Sequence, residues 1–430
     1  GTVTGLKHGD TVYARLTDGV NSGQYASTSI KDDIAPTVNM STSELTSNSV
    51  KLTVTASDGQ SGLAEEGTYT YYLDDTQKVS NNTNSYTYTG LIANTSYTLK
   101  VVVKDKAGKV TEESTTIKTL QLSDIEKAIS EGTVYTSNTV IKDSYGNNVK
   151  VPAGFKLASD SGKNVTEGVV IEDVSAGDSN TKGNQYVWVP IGNVKYNTSG
   201  ATKTINFGRY DFEDSSAGQL KQSADDYTSI VEIYKQFEYN FIEVTSGASN
   251  RMAKNLGDFI TKAKNAGGYY IGRYEAGIVS GKSDTFNIKK GQTVYNNIAQ
   301  LNAASYSRNL YNGNSNFQSD LINSYAWDTA IIFIQKFSGD SDYSQQEAFE
   351  TSLATTGNVH SGTTYDVRCN IYDMAGNVRE WSTETSDHTN GPGVYRGGCY
   401  TNVNSYSSKR IGYRTSLKDD CVGFRSILYL

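Results

Sequence analysis

Along the first third of the chain, hydrophobic positions recur at every second residue. Val50, Leu52, Val54 and Ala56 alternate with Lys51, Thr53 and Thr55, and the same period runs through Thr68 to Leu73 and Leu99 to Val103. A period of two sends one face of a strand into a core and the other to solvent. Asp58-Gly59 and Ser61-Gly62 supply turn chemistry between these runs. Further along, Val149 to Phe155, the apolar run Tyr186-Val187-Trp188-Val189-Pro190, the alternation from Ile205 to Phe212 and the segment Gly268 to Ala276 each predict a strand. The period changes to helical in two places. From Asn250, residues Met252, Leu256, Phe259, Ile260 and Ala263 share a face that ends at Gly267-Gly268, and Leu321, Ile322, Tyr325, Ala326, Ala330, Ile331 and Ile334 share another. Ser123 to Ser130 carries the residues of a short capped helix. The pattern predicts an all-β first part followed by a mixed α+β second part.

An internal repeat organises the β part. Thr4-Gly5-Leu6, with Tyr13 after it, resembles Thr89-Gly90-Leu91, with Tyr97 after it, and each is followed by a strand, a turn and a Thr/Ser-rich strand ending in Ile-Lys. Leu, a turn, then Tyr opening a strand resembles the tyrosine corner of fibronectin type III and immunoglobulin-like sandwiches. That resemblance divides the chain into residues 1–33, the last strands of a truncated sandwich, and residues 34–120, one complete sandwich acting as a spacer. Residues 121–182 form a linker helix with an accessory β region, and residues 183–430 form the final domain.

Composition narrows the function classes. The chain has 430 residues, with 31 Tyr, 40 Gly and 4 Pro, and a formal net charge of -7. Tyrosine offers contact area and a polar tip together, which suits a β-rich extracellular surface protein. A nucleic-acid partner would call for a concentrated basic face, and only the neighbourhood of Lys409 to Arg414 is locally basic. No apolar run reaches membrane-spanning length, so no membrane insertion is expected, and no signal peptide is visible. The chain opens inside a domain-like pattern and reads as a piece of a longer protein. The 3 Cys and 3 His leave little metal chemistry, and no Cys-x-x-Cys pair is present. An odd cysteine count gives no disulfide framework. Cys399 and Cys421 flank a polar insert and are candidates for one bridge; the alternative, three reduced and partly buried thiols, is the expectation.

Six segments carry a second resemblance. In order they are Tyr186 to Pro190, Tyr270-Ile271-Gly272-Arg273-Tyr274-Glu275, Ala326-Trp327-Asp328, Met374-Ala375-Gly376-Asn377-Val378-Arg379-Glu380-Trp381, Arg396-Gly397-Gly398 and Gly423-Phe424-Arg425. Residues 183–430 thereby resemble the formylglycine-generating-enzyme (sulfatase-modifying-factor) superfamily, which implies a C-type-lectin-like α+β domain. The enzymes resemble one another in a Gly-Gly-Ser-Tyr segment followed by two cysteines whose thiolates bind copper. Gly397-Gly398-Cys399-Tyr400 lines up with that segment, and the two cysteine positions fall on or near Asn402 and Ser407. Copper oxygenase chemistry is therefore the alternative rather than the expectation. The sulfoxide-synthase relatives use a three-His site, and only His360 and His388 lie in this domain.

The stretch from Arg396-Gly397-Gly398 to Gly423-Phe424-Arg425 also resembles the variable proteins of diversity-generating retroelements. There a lectin-like frame holds a C-terminal segment whose exposed residues are varied through adenine-directed mutagenesis. The resemblance implies a variable segment at about 399–418 and a non-enzymatic binding face of Tyr400, Asn402, Asn404, Ser405, Tyr406, Ser408, Lys409, Arg410, Tyr413 and Arg414. Tyr gives rigid amphipathic area, Asn and Ser give adaptable hydrogen bonds, and Lys and Arg give charge. Val403, Ile411 and Leu417 are expected to anchor the insert. Trp188, Trp327, Trp381 and Phe424 are expected in the core, with Arg396 and Arg425 in buried ion pairs or backbone hydrogen bonds that hold the frame; a ligand-facing role for the two arginines is the alternative. In the enzyme family the turn around Asn377 and Glu380 resembles a calcium site of hard oxygen ligands, with Asp373 close by; the alternative is a hydrogen-bonded turn without an ion. No other cofactor is implied. The expected partner is a protein or glycan on another surface, and the expected location is extracellular, on a bacterial cell or a phage virion. A purely structural appendage protein is a third reading.

Overall fold

The computed structural model describes residues 2–212, 218–220, 256–348, 366–385, 393–401 and 405–430. Two compact units emerge, Gly1–Leu122 and Ser123–Leu430. The first opens with a hairpin, Thr11–Ala14 paired antiparallel with Ala26–Ser29. Two further antiparallel sheets follow. One joins Thr37–Ser43, Ser49–Ser57 and Ser85–Thr89; the other joins Thr76–Asn81, Tyr69–Leu73, Ser96–Lys104 and Val110–Lys118. The alternation read from the sequence is the reason. Val50, Leu52 and Val54 from one sheet meet Tyr71, Leu99, Val101 and Val103 from the other in a shared core. Leu91 is buried there, and the Ile92 amide donates to Tyr97 Oη at 2.9 Å. In the opening hairpin the corresponding Leu6 and Tyr13 are exposed.

The second unit begins with the helix Asp124–Glu131, closed at its N-terminus by a reciprocal Ser123–Glu126 capping box. Its centre is a six-stranded antiparallel sheet in the order Phe155–Leu157, Val170–Asp173, Gln185–Pro190, Gly268–Gly272, Ser426–Tyr429, Gln318–Leu321. This corrects the reading of 121–182 as an accessory, because two of its segments are strands of the central sheet. Gly168 explains part of the fit. Its φ is +85°, and a Cβ there would lie 1.9 Å from the Cys369 carbonyl oxygen, so only glycine lets the chain pass against the Cys369 turn.

Several predicted elements have different bounds, and the strand expected from Gly268 to Ala276 ends at Gly272. The strand expected from Val149 to Phe155 is two, Asn148–Val151 and Phe155–Leu157, broken by Pro152 to Gly154. The alternation from Ile205 to Phe212 holds a strand end at Ile205 and a short strand at Tyr210–Asp211. The second helix begins at Ser324, because Leu321 ends a strand and Asn323 caps the helix by accepting from the Ala326 amide at 2.9 Å. The first helix spans Leu256–Ala266 with the expected face buried; its expected start at Asn250 and Met252 lies outside the described residues. A further helix, Gln300–Asn309, escaped the hydrophobic pattern because it buries Gln300, Ala303, Ala304, Ser305 and Ser307.

A second sheet carries the C-terminal segment. Its order is Arg410–Tyr413, Gly393–Arg396, Arg379–Thr385, Val422–Phe424, with the last pair parallel. Trp188, Trp327, Trp381 and Phe424 are fully buried.

Candidate functional site

The polar segment 399–418 starts from a bridged pair. Cys399 and Cys421 form a disulfide with Cα atoms 5.7 Å apart, which corrects the expectation of three reduced thiols. The strand Arg379–Thr385 pairs with Gly393–Arg396 on one side and Val422–Phe424 on the other. That brings the two cysteines together at its end, and Val294, Val378 and Tyr400 pack around them. The remaining thiol, Cys369, is pushed up to about 12 by burial, so it is not a thiolate at neutral pH.

Much of the proposed binding face turns inward. Tyr400 is buried and its amide donates to the Asn377 carbonyl at 3.0 Å. Ser405 is buried, with its carbonyl accepting from the Ala348 amide at 3.1 Å. Tyr406 is half-buried and bridges to Glu347. Ser408 Oγ donates to the Ser344 carbonyl at 2.7 Å. Ser407, at one of the family's cysteine positions, is fully buried; its Oγ donates to the Tyr343 carbonyl at 2.5 Å and its carbonyl accepts from Trp327 Nε1 at 2.9 Å. The segment 405–408 is thus strapped to residues 343–348. A Ser/Asn-rich composition reads as solvated only until a neighbouring backbone takes up its hydrogen-bonding capacity.

Arg410 is also frame. Asp328 and Glu384 lie at 0 % exposure, each between Arg396 and Arg410. Arg396 Nη2 reaches Asp328 at 2.6 Å and Nη1 reaches Glu384 at 2.5 Å. Arg410 Nε reaches Glu384 at 2.8 Å, and its Nη2 pairs with Asp328. Arg396 also lies 5.4 Å from the centre of the Trp327 ring. Burial alone would raise the Glu384 carboxyl, but Arg396, Arg410 and Arg209 hold it down to about 2. Arg209, buried beside them, is lowered to about 10 by desolvation. Glu384 was not singled out from sequence, and Asp328 stood out only as the end of the Ala326-Trp327-Asp328 motif and not as an ion-pair partner, although an acid within the otherwise apolar run of the helix Ser324–Phe337 is a signal of a buried partner.

What remains outward is Lys409, Tyr413 and Arg414, with Gly412, Ser416 and Lys418 between and after them. Tyr413 is 46 % exposed. Ile411 and Leu417 pack against the core, as expected of anchors. Asn402, Val403 and Asn404 lie outside the described residues, as do His360 and His388.

The Asn377 turn is built from a buried acid cluster. Both Glu380 oxygens face Arg425, with Nε to Oε2 at 2.9 Å and Nη2 to Oε1 at 2.6 Å. The remaining Arg425 donors reach the Gly272 and Tyr372 carbonyls at 2.8 and 2.7 Å. Asn377 Nδ2 donates to Glu275, which also accepts from the Val378 amide at 3.2 Å. Burial, reinforced by Asp373 and Glu380, raises the Glu275 carboxyl well above its usual range. Glu380 is thus engaged in an ion pair with Arg425, and Asn377 in a hydrogen bond to Glu275. Glu275, Asp366 and Tyr343 complete this interior and were not picked out as partners from sequence; Tyr343 Oη donates to Asp366 at 2.8 Å.

Residues 302–429 match the sulfatase-modifying factor enzyme 1-like domain. The match supports, for this part of the chain, the superfamily resemblance carried by the motif order, and it covers four of the six motifs. No curated protein matches the chain. Among solved structures, a myokine structure is 22% identical over 20% of this chain and 97% of its own, with a TM-score of 0.16. The chitinase ChiA74 from Bacillus thuringiensis is 24% identical over 39% of this chain and 20% of its own, with a TM-score of 0.19. CarF is 15% identical over 38% of this chain and 87% of its own, with a TM-score of 0.28. At these TM-scores the likenesses carry no argument.

Proposed function

We propose that the chain is a non-enzymatic display protein. Fibronectin type III or immunoglobulin-like modules form its stalk, and its lectin-like domain presents the surface around Lys409, Tyr413 and Arg414 to a protein or glycan on another cell. The observation that carries this reading is the division within 399–418. Arg410, Ser407 and Tyr400 are committed to the interior, while Lys409, Tyr413 and Arg414 are outward on and beside the same short strand. A frame whose ion pairs are buried tolerates exchange of its outward side chains, and that is the property a diversified segment requires. The proposal includes diversification by a retroelement and an extracellular location on a bacterium or phage; the Cys399–Cys421 bridge suits an oxidising compartment. Ser407 in place of a cysteine, with its hydroxyl bound to a carbonyl, weighs against the copper oxygenase alternative.

The test is a combined Lys409→Ala, Tyr413→Ala and Arg414→Ala variant probed on an array of bacterial surface glycans and on intact cells. The expected result is an unchanged fold with lost binding. Binding retained by the variant, or no binding by the parent protein on either probe, would sink the assignment of this face. In the neighbouring DNA, the expectation is a near-copy of the codons for 399–418 that differs mainly at adenines, beside a reverse-transcriptase gene.

A further inference from the structure

We propose that the N-terminal unit holds a calcium ion between Asp32, Asp58 and Asp105. These residues come from separate segments. Asp32 lies in the connection from the hairpin strand Ala26–Ser29 to Thr37–Ser43, Asp58 follows the strand Ser49–Ser57, and Asp105 opens the turn between Ser96–Lys104 and Val110–Lys118. The fold brings one carboxylate oxygen of each to within 4.8 Å of the others. Asp32 and Asp105 are buried, at 5% and 1% exposure.

In Asp58 and Asp105 one carboxylate oxygen is occupied and the other is left bare, while each Asp32 oxygen accepts one amide. Asp58 Oδ1 accepts from the Gln60 and Gly62 amides at 3.1 and 2.7 Å. Asp105 Oδ1 accepts from the Lys109 amide at 2.7 Å. Asp58 Oδ2 and Asp105 Oδ2 are shielded from solvent and have no hydrogen-bond partner. Asp32 is held by the Ile34 and Ser61 amides, at 3.0 and 3.1 Å. The neighbouring Lys106 is turned to Glu65 at 2.8 Å. His8 faces the Asp32 backbone, accepting its amide through Nδ1 at 3.0 Å. Among the described residues no Lys or Arg pairs with any of the three carboxylates.

Buried polar atoms in native proteins are satisfied, and three carboxylates this close repel unless something positive lies between them. Every donor is a hard oxygen, with no sulfur or imidazole nitrogen in the set, so the chemistry selects calcium or magnesium. Irregular placement on three loops favours calcium, which accepts variable geometry, over magnesium, which demands a regular octahedron. Asp58 is half-exposed, and water completes the coordination from that side. The ion fastens the hairpin connection to the end of the sandwich, so calcium stiffens this joint. The inference is independent of what the C-terminal domain binds.

The experiment uses the 430-residue protein, stripped with EDTA and titrated with calcium chloride by calorimetry, with thermal unfolding in parallel. The comparison variants are Asp105→Asn and Asp58→Asn. Each asparagine keeps the Oδ1 acceptor that the turn amides need, so the fold survives. The parent protein should bind one more calcium per chain than either variant. Calcium should raise the unfolding temperature of its N-terminal unit, and that rise should vanish in both variants. In EDTA the variants should unfold at a higher temperature than the parent, because repulsion is relieved. Equal calcium stoichiometry in all three proteins would overturn the site. So would a parent transition that ignores calcium but rises on acidification, which would assign the trio a shared proton. An equal response to magnesium would overturn the choice of ion.

Discussion

Arg396 and Arg410 are directly opposite one another in antiparallel register, and their guanidinium groups grip the same two buried carboxylates, Asp328 and Glu384. Like charges across a strand pair ordinarily repel. Here the carboxylates lie between them, and the pair sews the strand Arg410–Tyr413 to the helix Ser324–Phe337 and the strand Arg379–Thr385. The outward residues Lys409, Tyr413 and Arg414 flank that stitch.

Removing one carboxylate leaves buried guanidinium groups uncompensated, so Glu384→Gln should cost about 3–5 kcal/mol in urea denaturation at pH 7. The pH dependence has a definite sign. Glu384 sits at about 2 in the folded state, below the ordinary value of about 4.3 for the unfolded chain. Its contribution is therefore complete above about pH 4.3 and is lost as pH falls towards about 2. The gap between parent and variant should close over that window; a gap that is constant from pH 5 to pH 2 would show that the carboxylate charge is not what matters.

The display reading separates two kinds of substitution on one strand. Lys409→Ala, Tyr413→Ala and Arg414→Ala together should shift stability by only about 1 kcal/mol, since each is a surface change. Arg410→Ala should cost about 3–5 kcal/mol, because it strips the network of a cation. Denaturant midpoints of the two proteins make the comparison, and similar losses would mean that the outward residues are framework.

The Cys399–Cys421 bridge closes a sequence separation of 22 residues. A double Cys399→Ser, Cys421→Ser variant should lose about 3 kcal/mol. Thiol titration of the unfolded, unreduced parent should find one reactive sulfur, Cys369, and all three only after reduction.

Asp320 offers a pH effect of the opposite sign. Burial raises its carboxyl to about 6, against the pull of Arg308 and the Leu321 amide. The folded state therefore binds this proton more tightly than the unfolded chain does. From pH 7 down to about 4 the residue should add about 3 kcal/mol of stability. Asp320→Asn should remove that rise, which urea midpoints at pH 7, 5.5 and 4 will read.

Gly168 tests whether the region before residue 183 is integral to the lectin-like unit. A methyl there meets the Cys369 carbonyl, 1.9 Å from the ideal Cβ position. Gly168→Ala should destabilise by about 3 kcal/mol through overpacking and an unfavourable φ. A neutral result in thermal unfolding would mean that the two segments part easily.

Local periodicity carried much of the fold. Alternation at Val50, Leu52 and Val54, the face of Leu256, Phe259, Ile260 and Ala263, and the capping box at Ser123 are short-range signals, set by which way successive side chains point. The frame residues Trp188, Trp327, Trp381, Arg396 and Arg425 were legible because their motifs occur in a fixed order. The helix Gln300–Asn309 was not, since its buried face is small and polar and leaves no hydrophobic period. Nor could composition tell which residues of 399–418 face solvent. Ser405 and Ser407 have the side chain expected of a loop, yet the backbone of 343–348 passes over them and takes their hydrogen bonds.

The amino-acid sequence by itself determined the division into a β-rich N-terminal part and a lectin-like C-terminal part, because that division rests on periodicity and motif order within short stretches. Tertiary structure alone decided that Arg410 belongs to the frame while Tyr413 does not, that Glu380 answers to Arg425, and that Asp32, Asp58 and Asp105 meet. The reason is physical: charges and hydrogen-bonding groups choose partners by distance in space, and these partners lie tens of residues away along the chain.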